Sequence, residues 1–333
     1  MKKSQTISFP APPVIIGHAA VAGKKEGEGP LGNSFDQIST DSYWGEATWE
    51  KAESVMQRTV FSLAADKAAI PPSAVECLFA GDLLNQSIGS TFGHRDSEIP
   101  FFGLFGACST MGEALILAAM TIAGGFAQKA AAVTSSHFCT AERQFRFPLE
   151  YGGQRTPTSQ WTVTGAGACI LAASGAGPGI THVTPGKIVD AGIKDPNNMG
   201  AAMAPAAYAT IKQHFEDTGR TPGDYDLIVT GDLGSLGHTV VRDLFKRDGV
   251  TLQTYQDCGL MIYDRERQKV DAGGSGCGAA ATVLNGYLLN AMRTGRWSRI
   301  LFCPTGALMS TTSAQQGESI PGICHAVAIS TIG

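Results

Sequence analysis

Cys108 is the residue best placed to do chemistry. It sits in the stretch FFGLFGACSTMGEALILAAMT (residues 101–121), between a short apolar run and a nearly all-apolar helix. Thr110 and Glu113 match a capping box, which predicts that the helix begins directly after Cys108. The free N–H groups and the dipole of a helix N-terminus lower a thiol pKa, so this is the position of a catalytic nucleophile. A small buried cysteine that only packs is the competing interpretation.

Apolar strands and helices alternate around this cysteine. The pattern predicts a helix over 49–69, ended by two prolines, and then a buried strand in VECLFAGDL. A strand at FFGLFGA, a helix over 110–126, a strand at KAAAVTSS and a strand–turn–strand at QWTVTGAGACILAAS follow. This order is typical of an α/β sheet protein.

The second half of the chain repeats the order. A helix over 204–218 precedes DYDLIVTGDLG, which matches AVECLFAGDLL, and the segment from GGSGCGAAATVLNG to LFCPTGA matches that from FGACSTMGEALIL to AAAVTSS. The paired Gly-Asp-Leu tripeptides put Asp82 and Asp232 at equivalent strand ends. We therefore predict two similar halves, residues 1–174 and 175–333, packed face to face.

Composition narrows the class of protein. The chain of 333 residues is 43% hydrophobic and 16% charged, which predicts a soluble globular protein with a large core. A net charge of -4 without a basic stripe argues against nucleic acid as a partner. The eight cysteines are scattered without metal-binding spacing, which suits reduced thiols. The longest apolar helix, over 114–123, is about half the ~20 residues that span a bilayer, so we predict no transmembrane segment.

The duplicated halves, the cysteine that opens a buried helix, and WTVTGAGACIL at the end of the first half resemble the thiolase superfamily, which includes the ketoacyl synthases. This resemblance implies a five-layer αβαβα fold with two buried central helices. Longer segments resemble the stage V sporulation protein AD family of endospore-forming Firmicutes over about residues 12–328. These segments are GPLGNSFD, AGDLLNQ, FGACST, TSSHFCTAERQFRFPLEYGGQ, MGAAMAPAA, DYDLIVTGDL, DCGLMIY, AGGSGCG and ESIPGICHAV.

The narrower resemblance implies a role in sporulation. It implies a component of the system that moves dipicolinic acid, usually as its calcium chelate, into the developing spore, and that binds the acid without transforming it. It places the protein peripherally at the forespore or spore inner membrane, with the other channel proteins of the same uptake system as partners. The wider superfamily commonly dimerises through the N-terminal half, which implies a homodimer.

The sequence differs from that of an active condensing enzyme at the positions of the residues that transfer protons. By comparison with the superfamily, Asp232 takes the place of a catalytic histidine, and AGGSGCGAA stands where a histidine or asparagine is expected. An aspartate is not a neutral donor at pH 7 unless its pKa is strongly raised. His325 is the one C-terminal histidine that could substitute, but it lies outside the motif. We therefore predict a binding protein and no enzyme; an acyl-CoA or ketoacyl-synthase-like acyltransferase using Cys108 is the alternative, and a purely structural adaptor is a third.

The expected ligand decides the candidate binding residues. Dipicolinate is a flat aromatic dianion, which calls for N–H and O–H donors, a cation and flat packing surfaces. With Cys108 as the floor of the pocket, we predict that Ser135, Ser136, His137, Arg143 and Arg146 supply these donors and charges. Ion pairing with nearby glutamates is the competing role of the arginines.

Asp82 and Asp232 complete the predicted site. Each either caps the turn after its strand or meets the other near the pseudo-twofold axis, where the pair would help to hold a calcium ion delivered with the ligand. No calcium-binding loop occurs in the sequence, so neither a resident metal nor another cofactor is expected.

Overall fold

A computed structural model of the chain describes residues 4–145 and 155–332. Strands that read as continuous apolar runs are buried on both faces, as the all-buried strand at Gly165–Ala172 illustrates. In chain order the strands are β1 Ile7–Ser8, β2 Val14–Gly23, β3 Gln37–Ser39, β4 Cys77–Gly81, β5 Phe101–Leu104, β6 Lys129–Ser136, β7 Trp161–Thr162, β8 Gly165–Ala172, β9 Pro178–Thr184, β10 Leu227–Thr230, β11 Tyr255–Asp257, β12 Gly274–Ser275, β13 Arg299–Cys303, β14 Thr305–Ala307, β15 Gly322–Cys324 and β16 Ala326–Thr331.

The helices lie between and outside these strands. Three of them correspond to helices predicted over 49–69, 110–126 and 204–218, and short 3-10 turns precede several of the helices. The helices are α1 Lys24–Gly27, α2 Trp49–Lys67, α3 Ile88–His94, α4 Thr110–Ala123, α5 Phe138–Phe145, α6 Met199–Thr218, α7 Gly234–Arg247, α8 Cys258–Met261, α9 Cys277–Thr282, α10 Leu289–Arg293 and α11 Thr311–Gln315, with a π-helical turn at Val283–Leu288 that joins α9 to α10.

The two halves build sheets with the same strand order. In the first half the order is β5-β4-β6-β8-β2, and in the second it is β11-β10-β13-β16-β9. In each, the first three strands pair in parallel and the last two run antiparallel to their neighbours. The sheets join where Val14 of β2 pairs with Gly179 of β9. The repeat predicted from the sequence is therefore confirmed strand by strand.

Three hydrophobic clusters define five layers. The central cluster packs α4 and the α9–α10 helix between the inner faces of both sheets. A second cluster packs α2 on the outer face of the first sheet, and a third packs α6 and α7 on the second sheet. The αβαβα architecture is confirmed. The predicted boundary at residues 174 and 175 falls in the connection between β8 and β9.

Helix caps explain where two outer helices begin and end. Thr48 caps α2, since its side chain accepts from the backbone N–H of Lys51 at 3.3 Å. Asn198 caps α6 in the same way, so this helix starts at Met199 rather than at the predicted Ala204. It ends where Gly219 adopts a left-handed conformation with φ 68°. No helix in the described part of the chain is long and apolar enough to cross a membrane.

Candidate functional site

Cys108 lies in a 3-10 turn, Ala107–Ser109, that links β5 to the N-terminus of α4. The preceding Ala107 has φ +49°, a left-handed conformation uncommon for a residue with a side chain. The predicted capping box is wrong: the helix is capped by Ser109 without a side-chain bond, and the hydroxyl of Thr110 instead donates to the carbonyl of Ala107 at 2.6 Å. The predicted position of Cys108, just ahead of the buried helix, is confirmed.

The thiol of Cys108 lies within interaction range of the carboxyl group of Asp232, from the loop after β10. The Asp232 carboxylate accepts the backbone N–H of Gly276 at 3.0 Å and the hydroxyl of Thr305 at 2.9 Å. The carboxyl is fully buried, and burial raises the pKa of Asp232 to about 7.

Burial and the neighbouring carboxylate both raise the pKa of the Cys108 thiol well above its usual value. Helix position alone predicts the opposite direction. The contact with Asp232 and the loss of water outweigh the helix N-terminus because both penalise a negative sulfur directly. Cys108 is therefore a protonated thiol at neutral pH.

A cavity of about 300 Å³ opens beside this pair. Its walls come from both halves, and they combine aromatic, aliphatic and neutral polar groups. The lining residues are Leu83, Phe105, Ala107, Cys108, Ala141, Glu142, Phe145, Gln160, Thr162, Pro196, Asn197, Met199, Ser275, Ala307 and Met309. No lysine, arginine or histidine of the described residues is among them. The charged group in the lining, the Glu142 carboxylate, pairs with the Arg155 guanidinium at 2.9 Å.

Gln160 is a cavity residue that sequence reasoning missed. Its side-chain Nε2 donates to the backbone carbonyls of Asp232 and Gly274, and because both partners are acceptors the orientation of the amide is fixed. The other amide atom, Oε1, is buried and has no hydrogen-bond partner. Nothing in QWTVTGAG marks this residue, since its partners come from distant loops. Gln160 therefore contributes a buried, unpaired acceptor to the wall of the cavity.

The predicted donors Ser135, Ser136 and His137 do not line this cavity. The Ser135 hydroxyl lies between Gln57 and the Glu53 carboxylate, and the Ser136 hydroxyl donates to the carbonyl of Val163 at 2.7 Å. Ser135 and Ser136 end β6 and His137 follows directly, as predicted, but their polar atoms bond to neighbouring elements.

The ring of His137 is likewise held by backbone groups. Its Nε2 lies 2.8 Å from the carbonyl of Ser42, and its Nδ1 accepts the N–H of Cys139. Burial lowers the pKa of His137. The ring therefore serves to fasten α5 to the loop that precedes α2.

The predicted arginines are also placed outside the cavity or beyond the described residues. Arg143 forms an ion pair with Glu50, and its guanidinium stands 5.4 Å from the ring centre of Trp49. This is the competing role expected from the sequence. Arg146 lies outside the described residues. A third arginine of the segment, Arg155, is not in the lining but contacts two residues that are: it pairs with Glu142 and donates to the carbonyl of Gln160 at 3.0 Å.

Asp82 and Asp232 do not meet. The Asp82 carboxylate accepts the backbone N–H of Leu84 at 2.8 Å and both the N–H and the hydroxyl of Ser90, so it caps the turns after β4. Within residues 4–145 and 155–332, no group of three His, Cys, Asp or Glu side chains could hold a metal ion. The two aspartates therefore have separate partners, and the capping role of Asp82 is confirmed.

A second buried carboxyl lies beside Asp82. The side chains of Glu53 and Asp82 both lie 3.2 Å from the point where a Cβ on Gly89 would stand. Burial and the neighbouring Asp82 raise the pKa of Glu53 to about 8. The Thr140 hydroxyl lies 2.8 Å from Glu53 Oε2 and 2.9 Å from the carbonyl of His137. One hydroxyl proton cannot satisfy two acceptors, so a protonated Glu53 completes the network.

Cys277 occupies the place in the second half that Cys108 occupies in the first. It opens α9, and its thiol donates to the carbonyl of Ser135 at 2.9 Å. Cys108 and Cys277 share one hydrophobic cluster with Leu83 and Ala141. The contacts are reciprocal, since the first-half cysteine lies beside a second-half aspartate and the second-half cysteine bonds to a first-half strand.

His325 does not replace the missing catalytic histidine. Its Nδ1 accepts the backbone N–H of Gly186 at 3.0 Å, and burial lowers the pKa of His325 to about 4. It is not among the residues that line the cavity. The described proton-handling group nearest to the thiol is therefore the carboxyl of Asp232.

The model of one family, described as Stage V sporulation protein AD, matches residues 3–330. The chain belongs to the stage V sporulation protein AD family. A curated family member from Bacillus subtilis is 44% identical over 330 residues, which are 99% of this chain and 97% of that protein. The resemblance seen in the sequence is confirmed, and the family is one of sporulation proteins.

Solved structures relate the family to condensing enzymes by fold. The chain is similar to 3-oxoacyl-[acyl-carrier-protein] synthase III from Aquifex aeolicus, with a TM-score of 0.60 and 14% identity over 96% of this chain and 99% of that one. It is also similar to cerulenin-bound OleA from Xanthomonas campestris, with a TM-score of 0.63 and 15% identity over 99% of this chain and 100% of that one. At this identity the likeness confirms the thiolase-like fold and nothing more.

Proposed function

We propose that the chain is a non-catalytic sporulation protein that binds dipicolinic acid, free or as its calcium chelate, for uptake into the developing spore. The observation that carries the proposal is the burial of the Cys108 thiol at the cavity beside the buried Asp232 carboxyl. It supports an unreactive, protonated thiol at the floor of a cavity large enough for a small molecule. Membership of the sporulation family supports the biological role.

The walls of the cavity suit a flat aromatic ligand with polar groups at its edge. Phe105 and Phe145 offer ring faces for stacking. The hydroxyls of Thr162 and Ser275 and the amide of Asn197 offer neutral donors for carboxylate oxygens. In this proposal, these neutral donors bind the carboxylates of the ligand in place of the arginines predicted from the sequence.

Isothermal titration calorimetry with dipicolinic acid tests the proposal. The wild-type protein is expected to give saturable heat, and Cys108→Trp, which fills the cavity, is expected to abolish it. Cys108→Ala is expected to retain binding because no covalent step is involved. Cys139→Trp is a matched control, since Cys139 is half-buried and lies outside the lining. A heat-silent titration of folded wild-type protein at millimolar ligand would overturn the proposal. A millimolar dissociation constant corresponds to a binding free energy of about -4 kcal/mol, and a site for this ligand should bind at least that tightly.

The acyltransferase alternative is favoured by one observation. A buried carboxyl with a pKa of about 7 touches the thiol of Cys108, so it could accept the thiol proton as sulfur attacks an acyl-CoA carbonyl. The new bond would join sulfur to the acyl carbon, and the CoA thiolate would leave. Intact-protein mass spectrometry after incubation with acetyl-CoA tests this function. An adduct lost in Cys108→Ala would support it, and the absence of an adduct would discard it.

We also propose that two copies associate through β5. This strand pairs with β4 and forms the outer edge of the first sheet. Phe102 and Phe105, in and just after the strand, are 52% and 47% exposed. A free strand edge with exposed aromatic residues favours pairing with another strand, and an antiparallel pair of identical edges is self-complementary.

The place of action is proposed from the family. We propose that the protein acts peripherally at the forespore or spore inner membrane, together with the channel proteins of the same uptake system. Fractionation of sporulating cells tests this, with co-purification of the channel proteins as the expected result. An adaptor that binds no small molecule would co-purify in the same way but would give no heat with dipicolinic acid.

A further inference from the structure

A second and larger cavity, of about 520 Å³, lies at the opposite end of the buried second-half helix. Cys277 begins that helix beside Cys108, and α10 ends it at the second cavity. At a rise of about 1.5 Å per residue, the segment from Cys277 to Leu289 spans about 18 Å. The lining residues are Ile15, Ile16, Gly17, His18, Lys67, Ala176, Gly177, Pro178, Leu289, Asn290, Met292, Arg293, Thr331 and Ile332. This lining shares no residue with the cavity at Cys108.

The lining divides into an apolar body and a basic rim. Aliphatic side chains from β2, α10 and the end of β16 make the body, while Lys67 and Arg293 bring positive charge. Lys67 is held by an ion pair of 2.5 Å with Asp36, which itself accepts the backbone N–H of Ala20 at 2.9 Å. No aspartate or glutamate is among the lining residues, so the rim is locally basic on a chain whose net charge is -4.

His18 adds a titratable group to this rim. Its Nδ1 lies 2.7 Å from the carbonyl of Asn285, inside the π-helical turn. Because a carbonyl only accepts, Nδ1 carries the proton and Nε2 is left as the second ring nitrogen. Burial lowers the pKa of His18; the cations Lys67 and Arg293 act in the same direction, and the bond to Asn285 and the charge of Asp36 oppose it.

We infer that this second cavity is a binding site for a small amphipathic carboxylate, with the acid group at the Lys67–His18–Arg293 rim and the apolar part against Ile15, Leu289 and Met292. The apolar walls would bury a short aliphatic chain, which contributes roughly 0.8 kcal/mol for each buried methylene group. The carboxylate would receive charge-assisted hydrogen bonds from the rim. Its negative charge would favour protonated His18, whose Nε2–H would then be a further donor.

Titration with octanoate, followed by NMR of the histidine ring signals, tests the inference. Saturable movement of the His18 signal, assigned from its loss in His18→Gln, is expected, together with proton uptake near pH 6. Octylamine, which has the same chain and the opposite charge, is expected to leave the signal in place. If octylamine moved it equally, the cavity would be merely apolar and the inference would be overturned.

A charge reversal locates the site. Arg293→Glu, at an exposed position on α10, is expected to weaken octanoate binding by about tenfold or more, since a charge-assisted bond is replaced by repulsion. Lys246→Glu makes the same sign change at an exposed position on α7 and is expected to have no effect. Unchanged affinity in Arg293→Glu, or saturation without movement of His18, would overturn the inference. Either result would leave the dipicolinate proposal untouched, because that proposal is tested at Cys108.

Discussion

The Cys108 thiol of the first half of the chain and the Asp232 carboxyl of the second half lie beside each other in the interior. Cys108 lies just before a buried helix, where a thiolate would ordinarily be stabilised, yet its neighbour is a carboxyl group rather than a cation. Together with burial, this neighbour keeps the pKa of the thiol well above its usual value.

Replacing Asp232 by asparagine is expected to lower the pKa of the Cys108 thiol and make it more reactive. Loss of the carboxylate charge lowers the thiol pKa, and a fall of one unit raises the thiolate fraction about tenfold. Alkylation of Cys108 by iodoacetamide, followed by peptide mass spectrometry, should therefore accelerate in Asp232→Asn. Cys139, which is half-buried and elsewhere in the chain, is an internal reference whose rate should not change. Slower alkylation of Cys108 would mean that Asp232 acts as a base for the thiol, as the acyltransferase alternative requires.

Glu53→Gln is expected to flatten the dependence of stability on pH. The folded-state pKa of Glu53 is raised to about 8, above its ordinary value near 4.5. Keeping Glu53 protonated therefore costs more stability as pH rises between these values, with a slope of about 1.4 kcal/mol per pH unit. Glutamine mimics the protonated acid, because it can accept from Ser135 and donate to Thr140.

Urea unfolding between pH 5 and pH 9 measures this effect. The advantage of Glu53→Gln over the wild type should grow by roughly 3–4 kcal/mol between pH 5 and pH 8. Glu318→Gln, at an exposed position on the second half, is the matched control and should follow the wild-type curve. A variant with the wild-type slope would show that Glu53 is ionised in the folded protein.

Gln160→Leu is expected to destabilise the protein before any ligand is added. The change removes the donor for the carbonyls of Asp232 and Gly274, and buried acceptors without partners cost about 1–3 kcal/mol. The removed Oε1 has no partner to lose. Gln315→Leu, at an exposed position in α11, should stay within about 0.5 kcal/mol of the wild type. Equal unfolding midpoints for both variants would contradict the geometry assigned to Gln160.

Phe102→Asp is expected to dissociate the proposed dimer. The substitution places a charge at the exposed edge of β5 and removes a ring that stacks on Phe79 at 5.1 Å. Sedimentation velocity should show a shift from dimer to monomer. Phe126→Asp removes a still more exposed ring, at the end of α4, and should leave the dimer intact. A wild-type chain that sediments as a monomer would exclude association through β5.

The elements were predictable because apolar periodicity and local caps determine them. β6 begins and ends at the predicted residues, and α2 differs from its prediction only at the C-terminal end. The site was harder because its contacts join residues far apart in sequence. The role of Arg143 depends on Glu50 in another helix, and the burial of Glu53 depends on α3 and β6 closing over it. No local pattern reports such distances.

The position of Cys108 was predicted correctly from the helix that follows it, but the direction of its pKa shift was not. A helix N-terminus lowers the pKa of a thiol and a buried carboxylate raises it, and the carboxylate here, Asp232, lies in the other half of the chain. Gln160 shows the same limit, since its Nε2 donates to carbonyls of two distant loops, which only three-dimensional packing can reveal.

The reciprocal contacts of Cys108 with Asp232 and of Cys277 with Ser135 also limit how far the two halves can diverge from each other. In a duplicated protein with separate sites, one copy is free to drift while the other preserves the original role. Here each copy supplies a wall that the other lacks, so a mutation in either one alters a shared pocket. Substitutions in the two halves are therefore coupled during evolution, although the shared strand order still indicates that the halves arose by duplication.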